Sequence, residues 1–383
     1  GVAIGAEALT ITGTGVGGAG ALTGTGTGSL SGTVAIGAAS TIGGAGTLTL
    51  SGVVSGTALT KAGAGTLNLS GANTYTGVTT VNAGTLGYNG ILNVSGGASA
   101  LGAPTTGANG TIALAAGATL KYTGTGDSSN RVINLTGSGG TIDASGSGAL
   151  TLSGGVTGIT FDLTLTGSGA GTESGVIATT TGAVTKAGTG TWTLAGANTY
   201  SGVTTINAGV LSATTLANGG TASSIGASTA VAANLVLGGG TLQYTGATAS
   251  TNRAFTLTAG TTSSVDVTTG GTNLTISGAS ATTTGGLTKM GSGTLTLSGA
   301  NAYTGATTIN AGTLTVTNAA ALNTASSLVV NSGGTFDINN VTLNTLGSVS
   351  IQGAGNGGVG AITGTGTGAV YGGAVTMTGA ATI

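Results

Sequence analysis

Histidine and cysteine are absent from this 383-residue chain, proline occurs once, and the charged side chains number six Lys or Arg and seven Asp or Glu. Each absence removes a chemistry. Without His or Cys there is no Ser/His/Asp or Cys/His nucleophile, no thiolate or imidazole metal site, and no group that titrates near neutrality unperturbed. Six cations and a net charge of −1 form no basic patch, so nucleic acid is not an expected partner. No unbroken apolar run of about 18 residues occurs, so no membrane span is expected in this segment. The lack of Cys fits a protein that crosses membranes unfolded and works outside the cell. No basic start followed by an apolar core is visible, and the first residue is Gly1.

Glycine supplies 82 residues and apolar types 39% of the chain. Glycine in that abundance suits a disordered linker, but the order of the residues does not. In Gly46-Thr-Leu-Thr-Leu-Ser-Gly52, Gly65-Thr-Leu-Asn-Leu-Ser-Gly71 and Gly293-Thr-Leu-Thr-Leu-Ser-Gly299 every second side chain is aliphatic. Alternation of Thr, Val, Leu and Ile between Gly-rich turns marks strands with one buried face.

Internal repetition organises these strands. The segments 183–211 and 286–314 each match 58–86 at more than two-thirds of their positions. Lys61, Lys186 and Lys289 mark the three copies and are unequally spaced, so insertions are tolerated between copies. A fainter block lies between them. Ala118-Thr-Leu-Lys-Tyr-Thr-Gly124 leads to Asn130-Arg131 and Asp143, and Gly240-Thr-Leu-Gln-Tyr-Thr-Gly246 leads to Asn252-Arg253 and Asp266. The third block keeps Gly334-Thr-Phe-Asp337 and loses the Asn-Arg step. Finally, 20–28 and 360–368 agree at all positions but one, so the sequence replays its opening near its close and reads as an excerpt of a longer array.

Short strands, few aromatics and near-identical blocks predict an all-β fold without helices: a parallel β-helix, one continuous solenoid over 1–383. Coils on the order of 20 residues imply about 18 coils, roughly 90 Å at the strand spacing of ~4.8 Å.

The pattern T-K-x-G-x-G-T-L-x-L-S-G-A-N-T-Y-T-G-x-T-T-V-N-A-G-T-L, read from Thr60, resembles the autotransporter-associated β-strand repeat of passenger regions in bacterial type V secreted proteins. The resemblance implies a right-handed β-helix, an extracellular or bacterial cell-surface location, a role as adhesin or stalk, and delivery through an outer-membrane barrel. No translocator of alternating amphipathic strands is read in this sequence, so the delivery route rests on the resemblance alone.

Individual residues are read as bricks. Lys61, Lys186 and Lys289 are expected to mark the solvent side of a nearly neutral solenoid and to discourage sideways strand pairing; the functional reading makes them contacts for an anionic surface polysaccharide. Asn73, Asn198 and Asn301 are expected to turn the chain between sheets, where Asn tolerates left-handed backbone. Tyr75, Tyr200 and Tyr303 then cover the bend, each hydroxyl finding a partner. Asn82, Asn207 and Asn310, each before Ala-Gly, mark the next bend. Arg131 precedes Asp143, and Arg253 precedes Asp266, by a similar short interval, which suggests structural ion pairs across neighbouring faces of a coil. Trp192 replaces Leu67 and Leu295 and is expected to face inward and displace small neighbours. The Gly-x-Gly-x-Gly runs at Gly24 and Gly364 lack the following Lys and helix of a phosphate loop.

Carboxylates are the remaining catalytic type, and Asp143 and Asp162, about one coil apart in sequence, are the pair that would stack on successive coils. Because Asp143 recurs as Asp266, catalysis, a cofactor and a metal are not expected. The expectation is a structural extracellular stalk or fibre that self-associates into filaments, end to end or laterally. An adhesin that binds surface glycans is the alternative, ahead of an ice-binding solenoid or a polysaccharide-degrading enzyme. Ice binding requires Thr-x-Thr ranks in register, whereas the alternation Thr23, Thr25, Thr27 reads as local.

Overall fold

The computed structural model describes residues 2–343 and 346–383. They form two compact units, 1–200 and 201–383. Regular structure is almost wholly short strands. The named strands pair in parallel with the strand one coil away, as in a β-solenoid. The expectation of no helices needs a small correction: Gly107–Gly110 forms one helical turn, with the Thr106 hydroxyl accepting from the Asn109 amide.

Period-two alternation explains why each strand forms and which face it buries. In the first unit a nine-strand ladder runs through Thr47–Leu50, Thr66–Leu69, Thr85–Tyr88, Ala118–Tyr122 and Gly139–Ala144. Its inward columns stack Leu48, Leu67, Leu86, Leu120, Ile142 and Leu165 beside Leu50, Leu69, Tyr88, Tyr122 and Ala144. All of these are buried. The second unit repeats the design, with Leu274, Leu295, Leu314 and Phe336 in one column and Ile276, Leu297, Val316 and Ile338 in the next. Each apolar side chain therefore lies on a like side chain above and below, which gives a thin continuous core.

Register measures the coils. Thr47, Thr66 and Thr85 are successive partners at equal, short intervals, and Thr119, Thr141, Thr164 and Thr185 form a later series at slightly longer ones. The steps Thr85 to Thr119 and Val210 to Thr241 are longer by about half a coil. The extra chain forms an insertion in each of the first two blocks. The corresponding step of the third block, Thr313 to Thr335, has the ordinary length and carries none.

The outer face carries a regularity beyond the local alternation Thr23, Thr25, Thr27. Thr27, Thr47, Thr66, Thr85, Thr119, Thr141, Thr164 and Thr185 stand in one unbroken cross-strand rank. The unequal coil lengths hide this rank in the linear sequence. The neighbouring outward column holds Thr49, Asn68, Gly87, Lys121, Asp143 and Thr166, so a double Thr-x-Thr rank does not form.

Candidate functional site

The repeated lysines do not face solvent. Lys61, Lys186 and Lys289 are 1%, 0% and 0% exposed. Lys61 and Lys186 end a Leu-Thr-Lys and a Val-Thr-Lys strand, and Lys289 stands one residue before the end of Gly286–Met290; each has the parity of the inward apolar residue, and Lys61 lies in register between Ile42 and Val81. The stem runs with the core column while the ammonium reaches the bend beyond it. Lys61 Nζ donates to the carbonyls of Ala62 at 2.8 Å, Gly63 at 2.7 Å and Ala83 at 3.1 Å. Lys289 Nζ repeats this with Met290, Gly291 and Ala311, at 2.7, 2.8 and 3.1 Å, and Lys186 Nζ donates to Ala187 and Gly188. A buried ammonium is tolerated when its three protons are all bonded, and here backbone carbonyls accept them. Gly63, Gly188 and Gly291 adopt φ of 71°, 67° and 75°, the left-handed turn that follows each lysine. Burial pushes each ammonium down to about 8.

The asparagines also act differently from the expected bend. The non-glycine residues with positive φ among those described are Ala39, Ser95, Thr160, Thr180 and Asn340, so Asn73, Asn198 and Asn301 are not left-handed. They are buried bridges between coils. Asn73 Oδ1 accepts from the Val54 amide and its Nδ2 donates to the Ala100 carbonyl, both at 2.7 Å. Asn301 does the same with Ser280 and Ala321, and Asn198 accepts from Ile177. Tyr75, Tyr200 and Tyr303 are wholly buried. The Tyr75 and Tyr303 hydroxyls meet Thr79 and Thr307 at 3.0 and 2.8 Å. Asn82, Asn207 and Asn310 are exposed at bends, and the left-handed residue there is Gly84, Gly209 or Gly312.

The proposed arginine ion pairs are not formed. Arg131, 1% exposed, donates from Nε to Gly110 O at 2.6 Å and from Nη1 to Leu101 O at 2.5 Å, both in the first insertion. Arg253 donates to the carbonyls of Ala217, Ser228, Thr221 and Gly226 in the second. The preceding asparagines add a backbone clamp. Asn130 exchanges amide bonds with Val94 and Asn93, and Asn252 with Gly219 and Asn218. The Asn-Arg step thus latches an insertion, which explains its loss from the third block, where there is no insertion to latch. Sequence reasoning missed the latched partner, although Gly97-Ala-Ser-Ala-Leu-Gly102, Thr221-Ala-Ser-Ser-Ile-Gly226 and Asn318-Ala-Ala-Ala-Leu-Asn323 carry its signal. Ala100 and Ala321 hold the same place in that motif and accept from Asn73 and Asn301.

Each repeated aspartate meets the residue one coil away. Asp143 is 3.7 Å from Lys121 Nζ, Asp266 accepts from Gln243 at 3.0 Å, and Asp337 from Thr315 at 3.3 Å. Asp162 lies opposite Gly139, four strand positions from Asp143, which is on the order of 13 Å along the strand. Asp143 and Asp162 are therefore not stacked, and they stand farther apart than the roughly 5–9.5 Å of a glycosidase pair. Among the described residues no group of three or more Asp or Glu converges on a possible metal site, and no helix is long and apolar enough to cross a membrane. Nine of the eleven aromatic residues are buried, leaving Phe161 and Tyr371 partly exposed.

Two further core residues stand out. Trp192 is wholly buried, as expected, with Nε1 donating to Thr166 O at 2.8 Å. Its register partner is Gly171, where a Cβ would lie 2.5 Å from the indole. Glu173, which sequence reasoning did not single out, is 1% exposed in the column Leu152, Glu173, Leu194.

Known proteins resemble these repeats. The profile of the passenger-associated-transport repeat matches residues 59–87, 184–213 and 287–316. A stretch of 78 residues is 54% identical to the adhesin BmaC autotransporter of Brucella suis biovar 1 (strain 1330), spanning 20% of this chain and 2% of that adhesin. No solved structure matches. The K-x-G and N-A-G bends that build the carbonyl cradle, and the Asn-x-Tyr bridge between them, all fall inside the matched segments: the chain carries three segments that match the passenger-associated-transport repeat.

Proposed function

We propose that this chain is a structural segment of a secreted or cell-surface passenger, a β-solenoid stalk or fibre whose repeats close coils and hold no ligand or cofactor. One observation carries the reading: the buried lysines and asparagines that recur with the repeat are spent on the chain's own backbone. Lys61 and Lys289 each place three bonds on carbonyls, and Asn73 and Asn301 bridge coil to coil. Polar atoms so engaged close coils and are buried away from any partner. The passenger repeat and the relative's name as an adhesin support an extracellular or bacterial surface location and a non-enzymatic role.

The favoured partner is the chain itself, in filaments. A net charge of −1 opposes association of like chains only weakly. The turn at Val16–Gly18 recurs at Asn356–Gly358 with Gly17 and Gly357 at the same φ of 64° and ψ of 16°, which supports addition of like units. Recognition of a surface glycan is the second reading. It has less support, because the aromatic residues that would stack on sugars are mostly buried.

Electron microscopy of the purified chain over a concentration series, with a glycan array in parallel, tests the proposal. Filaments with ~4.8 Å layers and no saturable glycan signal are the expected result. Separate particles that bind one glycan class specifically would overturn it in favour of recognition.

A further inference from the structure

Coil closure is incomplete at 173–182. Glu173 stands in an inward column between Leu152 and Leu194. Its Oε1 accepts from the Gly175 amide at 2.9 Å, while Oε2 is buried without a partner. Further along the same segment, the Thr179 hydroxyl is also buried without a partner. Thr180 then adopts φ of 52°, a left-handed conformation that a β-branched residue takes only under strain. Two unsatisfied polar atoms and one strained residue, set on either side of the short strand Ile177–Ala178, lower the local stability of this stretch relative to neighbouring coils. The flanking Ser174 and Val176 are exposed, so a small outward movement of this bend brings the Glu173 carboxyl to water.

We infer that the segment 173–182 is a proton-controlled opening point, packed shut around a neutral Glu173 and opened locally when that carboxyl ionises. An ionised carboxylate in an apolar column needs partners for both oxygens, and only Oε1 has one. The strands paired with it, Leu150–Leu152 and Thr191–Leu194, carry no titratable side chain, nor do the bends at 153–155 and 174–176. Of the charged groups on this and nearby coils, Asp143 meets Lys121 and the Ser145 hydroxyl, Asp127 bonds the Tyr122 hydroxyl, Arg131 is spent on the first insertion, Asp162 accepts from the Ala183 amide, and Lys186 is spent on its own bend. Burial pushes Glu173 up from 4.5 to about 7, outweighing the bonded Gly175 amide and the nearby Gly155 amide, which lies outside hydrogen-bond geometry with Oε2; both pull it down. The open segment therefore releases its proton first, and opening grows as pH rises between those values.

Hydrogen exchange of the full chain, corrected for intrinsic rates, reads this at the amides of Ser174, Ile177 and Gly182, which are bonded to Leu152 O, Asn198 Oδ1 and Thr179 O. Protection is expected to fall about tenfold per pH unit from 4.5 to 7, roughly 300-fold in all, and then to level off. Glu173→Gln, which keeps the shape, and Glu173→Leu, which completes the leucine column, are both expected to abolish the slope. A slope that persists in Glu173→Gln, a flat wild-type profile, or an equal slope at amides of Thr66–Leu69 would overturn the inference.

Discussion

Replacing Lys186 with Met keeps an unbranched stem of similar length and removes only the ammonium. The folded chain gives that ammonium the carbonyls of Ala187 at 2.6 Å and Gly188 at 2.9 Å. Two buried carbonyls that lose a charged donor cost ~3 kcal/mol each, about 6 kcal/mol together. Roughly 3.4 kcal/mol of this returns because the variant no longer buries a charge, a burial strong enough to push the amine from 10.5 to about 8. The expected net loss is about 2.5 kcal/mol, roughly 70-fold in the local folding equilibrium. Lys121 is the control. Its side chain is 42% exposed and lies 3.7 Å from Asp143, so Lys121→Met should cost less than ~1 kcal/mol. Trp192, the single tryptophan, lies in the strand that follows the Lys186 bend and reports urea unfolding of this region by fluorescence. The midpoint should drop clearly in Lys186→Met, with the denaturant slope unchanged, and barely move in Lys121→Met. Equal midpoints for the two variants would refute the cradle as a source of stability.

Gly171→Ala should destabilise by more than ~2 kcal/mol in a melt, because the new methyl meets the Trp192 indole, and should be largely tolerated in a Trp192→Leu background; additive effects would show that the two do not compete for one space. Arg131→Met should speed protease cleavage within 93–106 severalfold, because Gly110 O and Leu101 O lose their donors, while cleavage elsewhere in the chain stays slow. In the pH dependence of stability, the three lysines bind fewer protons folded than unfolded between about 8 and 10.5, so denaturant midpoints should rise with pH from 8 towards 10. Above 10 the trend should reverse, since burial pushes Tyr75 and Tyr303 up to about 12 and only the unfolded chain ionises there.

Much of the architecture was legible because alternation is a local property. Thr66-Leu-Asn-Leu69 declares a strand and its buried face within a single short run, and a repeat of such strands implies stacking. The same rule held the orientation of the lysines, since in Leu59-Thr-Lys61 the lysine has the parity of the buried leucine. Reading lysine as a surface residue set that parity aside, because a charge is rarely buried without partners and the partners here are backbone carbonyls that no residue type announces. The arginines misled for a related reason. An oppositely charged neighbour such as Asp143, close by in sequence, looks like a partner for Arg131, yet the guanidinium is spent on the carbonyls of Leu101 and Gly110, well upstream in the first insertion.

The sequence by itself determined the fold class, the repeat, the inward Trp192 and the absence of histidine and cysteine chemistry, because composition, period and parity are carried by residue order alone. Only the tertiary structure decided what the recurring polar residues do. The eight-threonine rank, the bridges of Asn73 and Asn301, the carbonyl cradles and the buried Glu173 all depend on which coil lies over which. That register is set by unequal coils, from the short step Thr66 to Thr85 to the long step Thr85 to Thr119, so contacts one layer apart in space stand at no constant distance along the chain.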